Sequence, residues 1–136
     1  MRVLVDTSVW IDFFNDHTCA ETETLARFIE DEIELLTSGV IVSEFLQGIR
    51  NLKTLSALET QFRDMDWLTP IEPDTYVEAA NLFRQLRAKG VTVRSTIDCL
   101  IAQLASENDA FLLSKDRDMT MILQSGITHA KLLRIG

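Results

Sequence analysis

The feature that most constrains this chain is a set of short apolar segments that recur between stretches with helical periodicity. Residues 2–5 are Arg-Val-Leu-Val and residues 110–114 are Ala-Phe-Leu-Leu-Ser. Strands this apolar have no face suited to water, so they belong in a parallel sheet that helices cover on both sides. Strands that alternate with helices along the chain predict an α/β fold with a central parallel sheet.

The apolar periodicity predicts strands and helices in regular alternation over most of the chain. The strands are expected at residues 2–5, 33–37, 68–71, 110–114 and 130–135. The helices are expected to begin at Thr7 or Ser8, to span 21–33, to include 40–49, to span 53–65, to include 77–86 and 97–105, and to span 118–124. Gly90 is expected to end the helix before it, because glycine adopts the left-handed conformation without strain.

Length and composition are those of one folded domain over residues 1–136, since single domains most often have about 100–150 residues. Hydrophobic residues make up 46% of the chain, which excludes intrinsic disorder. No apolar run approaches the roughly 20 residues of a membrane span, and we expect a cytoplasmic protein. Cys19 and Cys99 lack the spacing of a disulfide framework or a zinc site, and His17 and His129 share no metal-ligand spacing.

The net charge of −8 argues against a nucleic-acid partner, because Lys and Arg contacts to phosphate usually dominate that affinity. The acid excess lies in residues 1–66, however, whereas residues 67–136 hold as many bases as acids. Residues 84–94 contain four bases and no acid, and two more bases flank Asp116. The candidate RNA contacts are Arg84, Arg87, Lys89, Arg94, Lys115 and Arg117. A solvated helix face is the alternative interpretation of the basic stretch.

Two of the predicted strands end in an acidic residue. Asp6 follows Val3-Leu4-Val5, and Asp116 follows the segment that ends at Ser114. Ligands of open parallel sheets bind outside the carboxyl ends of the strands. If the two strands are neighbours, both carboxylates meet at one crevice. The alternative for each residue alone is a helix cap or a turn.

Two further acids lie in mostly apolar helices. Asp98 lies in the first turn of its helix, where the helix dipole alone favours a carboxylate. Glu44 lies between Val42 and Phe45, and charged residues are rarely buried without a partner. Four clustered carboxylates repel one another and raise one another's pKa values, and a hard divalent cation removes that repulsion. Carboxylate-bound Mg²⁺ or Mn²⁺ suits the hydrolysis of phosphodiesters.

Four segments together resemble the motifs of the PIN-domain nucleases, and among them the VapC-type ribonuclease toxins of bacterial toxin–antitoxin pairs. They occur in the order of the family's motifs and cover nearly the whole chain. They are Val5-Asp6-Thr7-Ser8-Val9-Trp10-Ile11, Ser43-Glu44-Phe45-Leu46-Gln47-Gly48, Val93-Arg94-Ser95-Thr96-Ile97-Asp98-Cys99-Leu100-Ile101-Ala102 and Leu113-Ser114-Lys115-Asp116-Arg117-Asp118.

The resemblance implies a three-layer α/β/α sandwich and a Mg²⁺- or Mn²⁺-dependent endoribonuclease. It implies an acidic quartet of Asp6, Glu44, Asp98 and Asp116 that holds the metal and activates water, with Asp6 and Asp98 as the principal ligands. Thr7 or Ser8 would support the quartet by hydrogen bonding, and Asp118 is a further candidate ligand. The resemblance also implies a transfer RNA or ribosomal RNA substrate, a homodimer, and a VapB-type antitoxin that blocks the site.

Two other functions remain as alternatives. The chain could be a module that binds RNA or a partner protein without cleavage. It could also be another Mg²⁺-dependent phosphoryl enzyme, although the phosphohydrolase pattern has a second Asp where this chain has Ser8. Nucleotide-binding glycine loops and the G-x-S-x-G motif of serine hydrolases are absent from the sequence.

Overall fold

The computed structural model describes residues 1–135 and shows a five-stranded parallel sheet between layers of helices. The strands are β1 (Arg2–Val5), β2 (Glu34–Ser38), β3 (Asp66–Leu68), β4 (Phe111–Leu113) and β5 (Lys131–Leu132). The helices are α1 (Thr7–Phe14), α2 (Ala20–Glu30), α3 (Gly39–Leu46), α4 (Leu52–Arg63), α5 (Asp74–Ala88), α6 (Thr96–Glu107) and α7 (Arg117–Gln124). The predicted α/β class with a central parallel sheet is confirmed.

The sheet has the strand order β3-β2-β1-β4-β5, and every pair is parallel. The chain therefore moves outward from β1 to β3 on one side and then restarts beside β1 with β4. In the β1–β4 pair, Val5 lies opposite Leu113. This reversal of direction opens a crevice at the carboxyl ends of β1 and β4, where ligands of such sheets bind.

Alternate residues of the central strands enter two separate cores, because successive side chains of a strand point to opposite faces. Leu4, Leu36 and Leu112 are fully buried in the core that contains α5, α6 and α7. Val3, Val5 and Leu113 pack instead against residues of α1 and α2. Both faces of the sheet are therefore shielded from water, as the apolar strands predict. A third, smaller core joins Val42 and Phe45 of α3 to Phe62 of α4.

Some boundaries differ from the predicted ones, mainly at the edges of the sheet. The predicted strand 68–71 is observed as β3 at Asp66–Leu68, before Pro70, whose missing N–H cannot join a ladder. The predicted strand 130–135 pairs only over Lys131–Leu132. Gly90 follows α5 with φ +82°, in the helix-ending role expected of it. Within residues 1–135, no helix is both long and apolar enough to cross a membrane.

Candidate active site

Asp6 lies where β1 meets β4 at the carboxyl edge of the sheet. Its N–H donates to the carbonyl of Leu113 at 2.9 Å, so the two strand ends are joined at this residue. Its carboxylate accepts hydrogen bonds from the Thr7 N–H at 2.8 Å and from Ser114 Oγ at 2.7 Å. Burial raises the pKa of Asp6 above its ordinary value, and these two hydrogen bonds oppose that rise.

Asp98 lies in the first turn of α6, beside the crevice. Ser95 caps this helix, and its Oγ accepts the Ile97 N–H at 3.1 Å. Within residues 1–135, Asp98 makes no salt bridge, and its pKa rises to about 7 because it is half-buried and surrounded by carboxylates. The repelling carboxylates, in order of effect, are Asp116, Asp6, Asp118 and Glu44. The predicted quartet therefore shares one electrostatic environment; we call Asp6, Glu44, Asp98 and Asp116 the acid cluster.

Glu44 extends from α3, which begins directly after β2. Thr7 Oγ1 donates to Glu44 Oε1 at 3.1 Å, so the first turn of α1 positions this carboxylate. Its side chain is exposed, although the helix around it is apolar, because α3 buries Ile41, Val42 and Phe45 on its other side. Glu44 therefore lies at the rim of the acid cluster. Ser8 Oγ instead accepts the Lys115 N–H at 3.4 Å and so contacts the loop after β4.

Asp116 and Asp118 lie two residues apart but have different partners. Asp116 caps α7 and accepts the Asp118 N–H at 3.2 Å. Asp118 is buried and accepts from both the N–H and Nε of Arg94, at 3.1 and 3.0 Å. These hydrogen bonds hold the pKa of Asp118 below its ordinary value. The Arg94 guanidinium also lies 3.9 Å from Asp116 Oδ1.

Ser114 is a site residue to which the sequence analysis assigned no role. It is buried at the end of β4, donates from Oγ to Asp6, and accepts the Asp116 N–H at 3.1 Å. It therefore connects two members of the acid cluster. A polar residue directly after an apolar strand was the available signal, but its partner depended on which strand lies beside β4.

The predicted basic residues do not form one surface. Arg94 and Arg117 line a cavity of about 760 Å³ together with Asp118, next to the acid cluster. Lys89 donates to the Ser125 carbonyl at 2.7 Å, on the rim of the same cavity. Arg84 and Arg87 line a different cavity on α5. Lys115 pairs with Asp12 of α1.

The chemistry of the acid cluster fits a hard divalent cation, because its carboxylates repel one another and raise the pKa of Asp98. Among residues 1–135, the group with three candidate ligand atoms within 4.8 Å of one another is Asp12, His17 and Cys19.

The fold and the site define an α/β protein with an acidic site at the carboxyl edge of its parallel sheet. The family model described as the PIN domain matches residues 3–122, and the chain belongs to the PIN domain family. Membership confirms the resemblance drawn from the four sequence motifs.

Individual relatives agree with this assignment. The chain is 31% identical to "Ribonuclease VapC11" of Mycobacterium tuberculosis over 121 residues, which are 88% of this chain and 90% of that protein. Its fold is similar to the solved structure of VapBC2 from Rickettsia felis bound to a promoter DNA fragment, with a TM-score of 0.72, 15% identity and full coverage of both chains. It is also similar to VapC20 of Mycobacterium tuberculosis, a toxin that cleaves the sarcin-ricin loop, with a TM-score of 0.58, 16% identity, and coverage of 95% of this chain and 98% of that one.

Proposed function

We propose that this protein is a metal-dependent endoribonuclease and the toxin of a VapBC-type toxin–antitoxin pair. The observation that carries the proposal is the cluster of mutually repelling carboxylates at the β1–β4 crevice of a PIN domain. The named activity of VapC11, with which this chain shares 31% identity, supports RNA as the substrate.

The acid cluster would hold Mg²⁺ or Mn²⁺, with Asp6 and Asp98 as the principal ligands. When bound, such an ion stabilises charge on a phosphate and lowers the pKa of water. Ser114 and the Thr7 N–H orient the Asp6 carboxylate, so that its position is set before substrate arrives. Thr7 Oγ1 orients Glu44 in the same way. Glu44 and Asp116 would complete the site or orient the attacking water.

Arg94 and Arg117 are the bases best placed to receive the RNA backbone. Both line the cavity beside Asp118, and the Arg94 side chain is 78% exposed even though its Nε is bonded to Asp118. An arginine offers several donors, so the remaining N–H groups of Arg94 are free to contact phosphate oxygens. Arg84, Arg87, Lys89 and Lys115 are weaker candidates, because the structure places them farther along the surface or pairs them elsewhere.

RNA cleavage by the purified chain in Mg²⁺ or Mn²⁺ tests the proposal. Asp6→Asn and Asp98→Asn are each expected to lower the rate more than about 100-fold, since the loss of an outer-shell partner alone costs about 10- to 100-fold. Glu30→Gln, an exposed acid of α2, is the matched control and should retain the parent rate. Equal rates in all variants would show that the site is wrong. Tight RNA binding without cleavage, unaffected by chelator, would instead favour a binding module.

We also propose that an antitoxin segment covers an aromatic groove beside the acid cluster. The groove has a volume of about 270 Å³ and joins α1, α3 and α4. Its aromatic lining consists of Trp10, Phe13, Phe14, Phe45 and Phe62. Phe45 is adjacent to Glu44 on α3, so a segment with apolar side chains and a following basic residue would fill the groove and reach the acids. The complexes named among the structural relatives support an antitoxin as the occupant.

Phe14→Asp tests the groove, because this side chain is 41% exposed and its replacement should leave the core intact. The complex with a VapB-type antitoxin is expected to weaken at least about tenfold, as the loss of an aromatic anchor does. Ile29→Asp on α2, at an exposed position outside the groove, is the control and should bind as the parent does. Equal affinity of both variants would remove the groove from the interface.

A homodimer, a transfer RNA or ribosomal RNA substrate and a cytoplasmic location complete the proposal. Ile71, Tyr76 and Val77 are exposed apolar residues at the start of α5 and form the candidate dimer surface. Light scattering of the purified chain should give twice the monomer mass, and a monomeric result would exclude the dimer. Sequencing of RNA ends after expression of the toxin alone would identify the substrate.

A further inference from the structure

Asp12, His17 and Cys19 form a second cluster of potential metal ligands, which we call the D-H-C cluster. One ligand atom from each residue lies within 4.8 Å of the other two. The three residues span the end of α1, the connecting turn and the start of α2. The spacing between the two cysteines and between the two histidines did not suggest a zinc site, because this cluster takes one residue of each kind together with an aspartate.

The backbone around the D-H-C cluster holds the three residues in place. The His17 N–H donates to the Asp12 carbonyl at 2.9 Å, which closes the turn after α1. The Cys19 N–H donates to Thr22 Oγ1 at 3.0 Å, and that hydroxyl donates to the His17 carbonyl at 2.9 Å. Small side-chain rotations can therefore bring the ligand atoms to the roughly 3.3–3.7 Å separations that zinc–ligand bonds of 2.0–2.3 Å require in a tetrahedral site.

A cation already lies against this cluster in the structure. The ammonium of Lys115 pairs with the Asp12 carboxylate and lies 3.8 Å from Cys19 Sγ. Two of the three potential ligands are thus directed at one positive charge. Asp12 and Lys115 keep 23% and 31% of their side-chain surface exposed, so a metal ion can reach the position from solvent.

We propose that the D-H-C cluster is a binding site for a borderline-soft divalent cation of the Zn²⁺ class. Sulfur, imidazole and carboxylate donors select zinc and its neighbours, whereas Mg²⁺ takes oxygen ligands. The fourth position is left to water. On binding, the Cys19 thiol gives its proton to solvent, and the ion takes the place of the Lys115 ammonium beside Asp12. Lys115 immediately precedes Asp116, so occupation of this site releases a basic side chain next to the acid cluster.

Titration of the metal-free chain with Co²⁺, followed by displacement with Zn²⁺, tests the proposal. In the parent, one cobalt ion at the D-H-C cluster should give a near-ultraviolet thiolate-to-cobalt charge-transfer absorption, separately from any ion that the acid cluster holds without such an absorption. Cys19→Ser should abolish the absorption and weaken binding at this site at least about tenfold, since even the loss of an outer-shell partner costs about 10- to 100-fold. Ser is a favourable helix cap, so this variant should still fold. His17→Gln should weaken binding by a similar factor.

Controls separate this site from the acid cluster and from the other thiol. Cys99→Ala changes a cysteine buried in the core and should keep the absorption. The double variant Asp6→Asn/Asp98→Asn removes two acids of the acid cluster and should keep it as well. Lys115→Gln should bind the metal more tightly than the parent, whereas Lys115→Arg, which keeps the positive charge, should not. A parent without thiolate absorption at millimolar Co²⁺, or a Cys19→Ser variant with the parent's absorption and affinity, would overturn the proposal.

Discussion

Asp98 and Asp118 belong to the same group of interacting carboxylates, but their hydrogen-bond partners differ. Asp118 is bonded to Arg94 through two N–H groups, and its pKa is lowered. Asp98 is repelled by Asp116, Asp6, Asp118 and Glu44, and its pKa is raised to about 7. The difference distinguishes a carboxylate that forms a salt bridge with an arginine of the protein from one that forms none within residues 1–135. By this criterion we propose that Asp98 is a metal ligand and that Asp118 has a structural role.

The largest expected difference between the two acids is in RNA cleavage. Asp98→Asn should lower the rate more than about 100-fold, because it removes a proposed metal ligand. Asp118→Asn should lower it about tenfold or less. Asp118 acts mainly by holding Arg94, so the same variant should weaken RNA binding. Single-turnover rates and RNA affinities measured at saturating Mg²⁺ check this difference. A loss in Asp118→Asn as large as in Asp98→Asn would make Asp118 a metal ligand after all.

The same two variants should change stability in opposite directions when the metal is chelated. Asp118→Asn should lower the free energy of unfolding by about 1–3 kcal/mol, because two N–H groups of Arg94 lose a charged acceptor. Asp98→Asn should raise it by about 1 kcal/mol at pH 8, because it removes a repelled charge. Melting temperatures in chelator, at roughly 3–5 °C per kcal/mol for a chain of this size, measure both changes. Shifts of the same sign would contradict the comparison.

The protonation of Asp98 should determine how the free energy of unfolding changes with pH. Its pKa lies near 7 in the folded chain and at the ordinary 3.8 in the unfolded chain, so the folded state binds more protons between these values. Stability in chelator should therefore be greatest near pH 4–5 and fall by about 1–2 kcal/mol as the pH rises to 8. Thermal melts across this range check the slope.

Mg²⁺ should counter that loss at pH 8, since an ion that binds only the folded state adds about 1.4 kcal/mol at ten times its dissociation constant. Asp98→Asn is the control and should show a smaller pH slope and a smaller response to Mg²⁺. A parent whose melting temperature is independent of both pH and Mg²⁺ would show that Asp98 is not repelled in the way described.

The smallest expected effect concerns the rim of the acid cluster. Thr7→Val replaces the hydroxyl that orients Glu44 with a methyl group of similar shape. The loss of this one hydrogen bond should cost about 1 kcal/mol, or roughly fivefold in the cleavage rate. Glu44 is exposed and can recover part of its position through water. Thr7→Ser keeps the hydroxyl and should restore the parent rate; a loss in both variants would assign the effect to packing.

Much of the fold could be predicted because the apolar composition of the central strands directly indicates that both of their faces are buried. Residues 3–5 and 112–113 are all apolar, and they form the buried centre of the sheet. The edge strands were harder to place. Around Pro70 and after Ala130 the chain pairs on one side only, so packing and proline geometry, rather than apolar periodicity, decide where pairing ends.

The candidate site could be predicted in part for a similar reason. Asp6 and Asp116 each follow an apolar strand, and that position alone places them at the carboxyl edge of a parallel sheet. Arg94 as the partner of Asp118, and Ser114 as the link between Asp6 and Asp116, could not be predicted. Each contact depends on the relative position of two distant elements, and no local pattern encodes that distance.

The sequence by itself determined the α/β class, the buried strands, the helix that ends at Gly90, and the family through its four ordered motifs. These follow from local periodicity and from residue types that one strand end or helix end requires. Tertiary structure alone decided that β4 lies beside β1, that Asp118 pairs with Arg94 while Asp98 is repelled by its neighbours, and that Asp12, His17 and Cys19 meet beside Lys115. Charge is read from the chain, but the pKa of an acid depends on which charges the fold brings within a few ångströms of it.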